Sequence, residues 1–300
     1  MADLALLLPD FLLIGLGWAI CRMTSLGRPV WDAVERLVYY LLFPILLFSS
    51  IVRSPLQPGQ ALPLAVAGVG TVAVGIVVAS LIGRLPRVDR RLHASGAQTA
   101  FRFNSFIALA LAQRLYGAEG LAWMAMLIAL GVPLGNVAAV WPLARHGGHA
   151  YGRELLRNPL IIGTVAGLAA NAIGVTLPAV LETTLQRIGS AALPIGLMAA
   201  GAGLTVGGLK ESPALATAFL AIRHALLPLV AIALGLALAL SPEQRGTVVL
   251  FAAVPTSSST YVLAARMGGA AGFVAGLVMV STLLGLVSIP LWLAVLQRLH

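Results

Sequence analysis

Charged residues are scarce in this 300-residue chain, at 10% of the total, and acidic ones scarcest, with 10 Asp and Glu against 19 Lys and Arg. Soluble domains carry about 25% charged residues. With 59% hydrophobic residues and a mean hydropathy of +0.97, an aqueous surface would aggregate, so the solvent is the lipid bilayer. No Asp or Glu falls near the centre of a long apolar run, which removes the acidic pair that would bind sodium or relay protons in a membrane. The single cysteine, Cys21, excludes an internal disulfide and a thiolate metal cluster. There is no H-E-x-x-H, no phosphate-cradling G-x-x-x-x-G-K-[ST] and no G-x-S-x-G, so zinc proteolysis, ATP-driven pumping and elbow-type serine hydrolysis have no carrier in the chain. No cofactor is implied and no enzyme is expected. The net charge of +9 comes without a basic stripe interleaved with aromatics, which argues against a nucleic-acid partner. Met1-Ala2-Asp3-Leu4 has no basic n-region, so the apolar run that follows reads as a first spanning helix and not a cleaved signal.

A spanning helix takes ~20 apolar residues. Apolar runs between polar or Pro/Gly breaks give ten spans: 4–21, 33–52, 61–83, 95–116, 121–143, 158–176, 189–209, 213–240, 246–267 and 271–296. They lack the alternation of barrel strands, so the fold class is an all-α integral membrane protein of ten transmembrane helices. Gaps after odd-numbered spans hold Arg22, Arg28, Arg36, Arg84, Arg87, Arg90, Arg91, Arg145, Arg153, Arg157, Lys210 and Arg266. The opposite side holds only Arg53, Arg114, Arg187, Arg245 and Arg298. This bias puts the odd gaps in the cytoplasm and both termini on the non-cytoplasmic side.

The chain also repeats. Pro29 and Pro178 are offset by 149 residues, Phe43-Pro44-Ile45 and Leu193-Pro194-Ile195 by 150, and Pro142 and Pro290 by 148. Arg114-Leu-Tyr-Gly117-Ala-Glu-Gly120 matches Arg266-Met-Gly-Gly269-Ala-Ala-Gly272 at 152. An offset near 150 holds five spans, and an odd number per repeat inverts the second copy. The expected domains are therefore residues 1–150 and 151–300, a five-plus-five inverted repeat of the kind that places a transport site where discontinuous helices meet at the midplane.

Spans 4 and 9 are related by this repeat and each is polar at its centre. Span 4 carries Arg102, Asn104 and Ser105; span 9 carries Pro255, Thr256, Ser257, Ser258, Ser259 and, a turn on, Tyr261. Pro255 disfavours unbroken helix, and the hydroxyls after it compete for the freed backbone groups. Such clusters also occur in helices that merely pack; the matching polar break in span 4 turns the reading towards a site. Two broken helices would aim half-helix N-termini, each worth about half a positive charge, at one spot that favours an anion. Arg102 near mid-span costs ~3 kcal/mol on insertion scales. It reads as a carboxylate counter-ion through its planar fork, against the alternative of snorkelling to the cytoplasmic face. Arg223-His224 in span 8 and Asp10 in span 1 read as interfacial. Gly163-x-x-x-Gly167 and Gly201, Gly203, Gly207 and Gly208 read as close helix-packing positions.

Arg157-Asn158-Pro159-Leu160-Ile161-Ile162, Gly189-Ser190-Ala191-Ala192-Leu193-Pro194, Phe103-Asn104-Ser105 leading to Leu115-Tyr116-Gly117, and Pro255-Thr256 through Tyr261-Val262-Leu263-Ala264 resemble, in order, the patterns of the auxin efflux carrier family, including its bacterial branch of malonate and other organic-anion permeases. The resemblance runs along essentially the whole chain. It implies crossing broken helices 4 and 9, a scaffold and a moving transport domain with elevator-type alternating access, a place in the bacterial cytoplasmic (inner) membrane, and often a homodimer. The family's helix-4 Asn maps to Asn104 and its Pro-Thr crossover to Pro255-Thr256. Many relatives carry Gly-x-Pro shortly after that Asn, where this chain has Ile107-Ala108-Leu109-Ala110, so a milder break is expected in helix 4. The expected substrate is a small organic anion, a carboxylate, held by Arg102, Asn104, Ser105, Thr256 and the 257–259 serines. An ion-coupled symporter, an exporter of hydrophobic weak acids, an intramembrane serine enzyme and a non-transporting subunit remain as alternatives.

Overall fold

Among the described residues, helix covers most of each apolar run, because a backbone in hydrocarbon must pair its N–H and C=O groups internally. The computed structural model describes residues 2–53, 58–86, 88–144, 159–204, 208–257 and 259–298. Arg87, Arg145, Arg153, Arg157, Asn158, Gly207, Ser258 and the proposed 150/151 boundary lie outside them, as do the side chains of Asp10, Arg53, Val262 and Arg266. Along the chain run α1 (Ala2–Met23), α2 (Arg28–Leu37), α3 (Phe43–Arg53), α4 (Pro58–Ile82), α5 (Arg90–Gly96), α6 (Gln98–Phe101), α7 (Ser105–Ala144), α8 (Pro159–Ala172), α9 (Ala179–Ala202), α10 (Pro213–Ala221), α11 (Leu227–Ala237), α12 (Pro242–Ala253), α13 (Ser259–Arg266) and α14 (Ala271–Gln297). One π-helical turn, Val38–Leu42, joins α2 to α3, and a second, Ile222–Leu226, joins α10 to α11. No strand occurs among the described residues. Among the described residues, four stretches, Ala61–Ile82, Arg90–Ala139, Pro213–Ala237 and Ala271–Gln297, are long and apolar enough to cross a membrane.

The seventh span starts earlier than its hydropathy suggests: helix begins at Ala179, ten residues before the expected 189. Glu182 lies in its first turn, where a carboxylate complements the helix dipole. The polar first turns are exposed, so hydropathy alone does not register them.

The chain divides into two compact units. The first comprises Met1–Ala61, Leu109–Ala129 and Ala150–Gly203, and glycines bring its backbones together. A Cβ on Gly17 would land on the backbone of Met198, and one on Gly201 on the backbone of Ile14, so α1 and α9 touch reciprocally. On α8, a Cβ at Gly163 would sit 2.7 Å from the Pro44 carbonyl oxygen and one at Gly167 3.0 Å from Ile51 Cβ. Asn171 Nδ2 donates to the Ile51 and Val52 carbonyls at 2.9 and 3.2 Å, covering two of the acceptors that the end of α3 leaves open. Without a hydrophobic force between helices in lipid, close backbone approach and such bonds supply the association. A surface depression of about 350 Å3 lined by Ala179, Val180, Thr183, Thr184 and Arg187 belongs to this unit and contains none of the predicted site residues.

Gly117 bends α7 with φ 62° and ψ −153°, a region essentially reserved for glycine. A Cβ there meets nothing within 4 Å, so the whole cost of Gly117→Ala is conformational. That substitution is expected to destabilise by ~1–3 kcal/mol in thermal unfolding. Gly15→Ala, equally open but at an ordinary helical position in α1, should be neutral or gain up to ~1 kcal/mol.

The second unit comprises Leu62–Ala108, Leu130–His149 and Leu204–His300. Glycines again set its spacing: a Cβ on Gly75 would lie 3.1 Å from Leu227 and from Phe101, and one on Gly131 3.0 Å from the rings of Phe103 and Phe251. Those two rings pack at 4.4 Å between centroids, tilted by 59°. They bring the fourth and ninth spans together beside the interruptions of both.

Candidate functional site

The fourth span is helical to Phe101, then extended. Arg102 has φ −82° and ψ 141°, and helix resumes at Ser105. The break is held by Asn104, whose Oδ1 accepts from the N–H groups of Phe106 and Ile107 at 3.0 and 3.2 Å. This is an N-cap: a short polar side chain pairing first-turn donors that would otherwise be orphaned. Asn104 stops and restarts the helix without any Gly-x-Pro, leaving Arg102, Phe103 and Asn104 all non-helical.

The ninth span breaks for a different local reason. Pro255 pushes the residue before it out of the helical region, and Val254 has ψ 148°. Helix restarts at Ser259, where Ser257 Oγ accepts from the Ser259 N–H at 3.3 Å and the Ser257 carbonyl accepts from Thr260 N–H and Oγ1 at 3.2 and 2.7 Å. The two breaks are joined by a backbone hydrogen bond from Asn104 N–H to the Pro255 carbonyl at 2.9 Å. A donor and an acceptor that no helix can use thus satisfy each other.

Arg102 lies across the junction. One terminal nitrogen donates to Gln98 Oε1 at 2.8 Å and the other to Ser259 Oγ at 2.9 Å. Gln98 in turn donates to the Thr260 carbonyl at 3.2 Å. The guanidinium therefore stands at the N-terminus of α13, an end that already carries about half a positive charge. Ser259 Oγ also bonds Ser257 Oγ at 2.9 Å. The buried Thr256 has its N–H on Ser281 Oγ at 3.0 Å, while its Oγ1 has no hydrogen-bond partner. Such an orphan costs ~1–3 kcal/mol. Of the predicted residues, Arg102, Asn104, Pro255, Thr256, Ser257 and Ser259 are brought together through these bonds. Ser105 opens α7 beside them. Tyr261 is 37% exposed, and among the described residues no hydrogen bond ties it to the others.

The interfacial reading of Arg223-His224 is overturned. Helix starts at Pro213, which puts Arg223 ten residues, ~15 Å, into the stretch Pro213–Ala237 that is long and apolar enough to cross a membrane. Arg223 is 2% exposed, and it donates from Nε to the Val254 carbonyl at 2.7 Å and from a terminal nitrogen to the Phe251 carbonyl at 2.9 Å. It closes the C-terminal end of α12, where a cation complements the dipole. His224 pairs through Nδ1 with Ser288 Oγ at 2.9 Å and through Nε2 with Ser281 Oγ at 2.8 Å. Both imidazole nitrogens are thereby engaged away from Ser257 and Ser259, and among the described residues no serine–histidine couple occurs at that run. The signal for this pair was in the sequence: Pro213, at a favoured first helical position, marks the true start of the span.

The electrostatic balance at the breaks follows. Arg223 more than offsets the negative end of α12, and Arg102 adds to the positive end of α13. A region of excess positive potential bordered by hydroxyls favours an anion. No group of three or more metal-ligating side chains occurs among the described residues.

Comparison with known proteins finds similarity to transporters. The family described as "Membrane transport protein" matches residues 147–293. A Rhizobium meliloti (strain 1021) protein described as "Putative malonate transporter" is 25% identical over 302 residues, covering 96% of this chain and 94% of its own. A Methanothermobacter thermautotrophicus (strain Delta H) protein described as "Uncharacterized transporter" is 26% identical over 309 residues, covering 99% of each.

Proposed function

Because the chain belongs to the membrane transport protein family, that of the auxin efflux carriers, and is a multi-pass transporter rather than an enzyme, we propose that it carries a small carboxylate across the bacterial cytoplasmic membrane at the junction of its fourth and ninth spans. The observation that carries this reading is Arg102 at the N-terminus of α13, bonded to Ser259, beside the Asn104–Pro255 bond that joins the two breaks. Arg102 supplies the charge. Thr256 Oγ1, Ser257 and Ser259 supply hydrogen bonds, with Asn104, Ser105 and Ser258 in the same segments. Pro255 keeps the ninth helix open, and Tyr261 stands a turn away on α13. The name of the Rhizobium relative makes malonate the first carboxylate to test.

The reading includes the ten-helix, five-plus-five inverted repeat with crossing helices 4 and 9, elevator-type alternating access, both termini outside, and a homodimer. Support for the repeat comes from paired local geometry. Gly117 and Gly268, 151 positions apart, both take positive φ, at 62° and 69°, after the second halves of the two broken spans.

The test is ligand stabilisation and uptake with purified protein in proteoliposomes. At one hundred times its dissociation constant a true ligand stabilises by ~2.7 kcal/mol, so malonate is expected to raise the unfolding temperature and to compete for uptake. Malonamide, isosteric and uncharged, should do neither. Equal effects from the amide would remove the anion from the proposal.

A further inference from the structure

We infer that the π-helical turn Ile222–Leu226 is the positioning element of the site, setting the ninth-span break from behind through Arg223 and His224; the inference rests on the transport reading above. A π-turn inserts one residue into a helix, and such insertions gather at functional sites. Here Arg223 and His224, adjacent in sequence, reach opposite sides of Pro255. Arg223 holds the carbonyls of Phe251, which would have accepted from residue 255 in an unbroken helix, and of Val254, the residue before the proline. His224 holds Ser281, whose Oγ accepts from the Thr256 N–H, the first donor after it. The His224 carbonyl is itself fixed by Trp292 Nε1 at 2.7 Å, and Ser288 fixes the far side of the imidazole. The Phe251 and Val254 carbonyls on one side of Pro255 and the Thr256 N–H on the other are thereby tied to one turn of the eighth span or to its partner on α14. Pro255 also packs flat on α14: a Cβ added at Gly285 would sit 3.3 Å from its Cδ.

The consequence is specific. With its N–H fixed by Ser281, Thr256 holds its backbone still while its Oγ1 lacks an internal partner, so the hydroxyl is left to the transported anion. Arg223 and His224 act through this geometry and touch no substrate themselves. They are positioning residues.

Two serine deletions separate positioning from simple packing, since each removes one hydrogen bond from His224 but only one of them releases Thr256. Ser281→Ala is expected to raise the KM for carboxylate uptake about tenfold, the usual worth of a hydrogen bond lost near a ligand, with Vmax changing less than about threefold. Ser288→Ala should shift KM less than about twofold while lowering thermal stability comparably. Hydrogen–deuterium exchange over residues 251–260 reads the same contrast without substrate: faster in Ser281→Ala, unchanged in Ser288→Ala. His224→Gln, whose amide approximates Nε2, should rescue that exchange better than His224→Asn, which approximates Nδ1. Arg223→Lys keeps the charge but cannot span two carbonyls, and should speed exchange at the 251–254 end alone. Equal exchange and equal KM in the two serine variants would overturn the inference. Should wild type bind no carboxylate while the exchange contrast holds, the positioning role stands and the substrate reading falls.

Discussion

Arg102→Ala is expected to weaken binding of a carboxylate substrate by about 30- to 100-fold, the loss of a charge-assisted hydrogen bond of ~2–3 kcal/mol. The protein should still fold, because the side chain lies at the edge of the junction and the Asn104–Pro255 bond is made by backbone atoms. Arg102→Lys keeps a point charge but loses the fork that reaches Gln98 and Ser259 at once, so it should recover part of the affinity and not all of it. Asn104→Asp gives the complementary result. Aspartate caps as well as asparagine, so helix should still restart at Ser105 with little loss of stability. The added negative charge beside the anion site should nevertheless lower affinity at least as much as Arg102→Ala. Asn104→Ala removes the cap and is expected to lower both stability, by ~1 kcal/mol, and affinity. Binding isotherms alongside thermal unfolding distinguish the four variants. If Arg102→Ala and Asn104→Ala both bind a confirmed substrate as wild type does, the site lies elsewhere.

These variants also show which parts of the site were legible in the sequence. Proline and glycine act locally, so the Pro255 break, the hydroxyl run behind it and the turn at Gly117 could be read from residue type alone. Asn104 could be picked out as polar at mid-span, but its role could not. Whether an amide oxygen faces a ligand or caps its own helix depends on ψ at Arg102 and Phe103, which residue type alone does not set. The Asn104–Pro255 bond spans 151 positions, and no local pattern encodes a contact of that kind. Arg223 was misjudged because hydropathy averages over a window: the polar pair Arg223-His224 ahead of the apolar run from Ala225 looks like a boundary. Only the start at Pro213 and the carbonyls freed by Pro255 explain why a buried charge belongs there. A buried cation without partners would be prohibitively costly; one that closes a helix end is held by two acceptors and the dipole.

Gly17→Val and Gly201→Val should be the most destabilising single changes in the first unit, each costing at least ~3 kcal/mol, the upper range of overpacking. At most tight glycines a neighbouring side chain can move aside. Here the obstacle is backbone: Met198 faces Gly17 and Ile14 faces Gly201. Any Cβ must drive α1 and α9 apart, and the separation then also loosens the cluster in which Trp31 packs on Ala199 and Ala202, with Ile20, Cys21, Val34 and Met198 around it. Because the contact is reciprocal, the two substitutions should be far from additive: once one has parted the helices, the second adds little. Gly15→Val, on the same helix but with open space about its Cβ position, is the control and should leave the unfolding temperature within a few degrees of wild type. Tryptophan-fluorescence unfolding of the single and double variants measures this directly. Full additivity in the double variant would mean that the two glycines do not share one interface, and that α1 and α9 do not form a fixed pair.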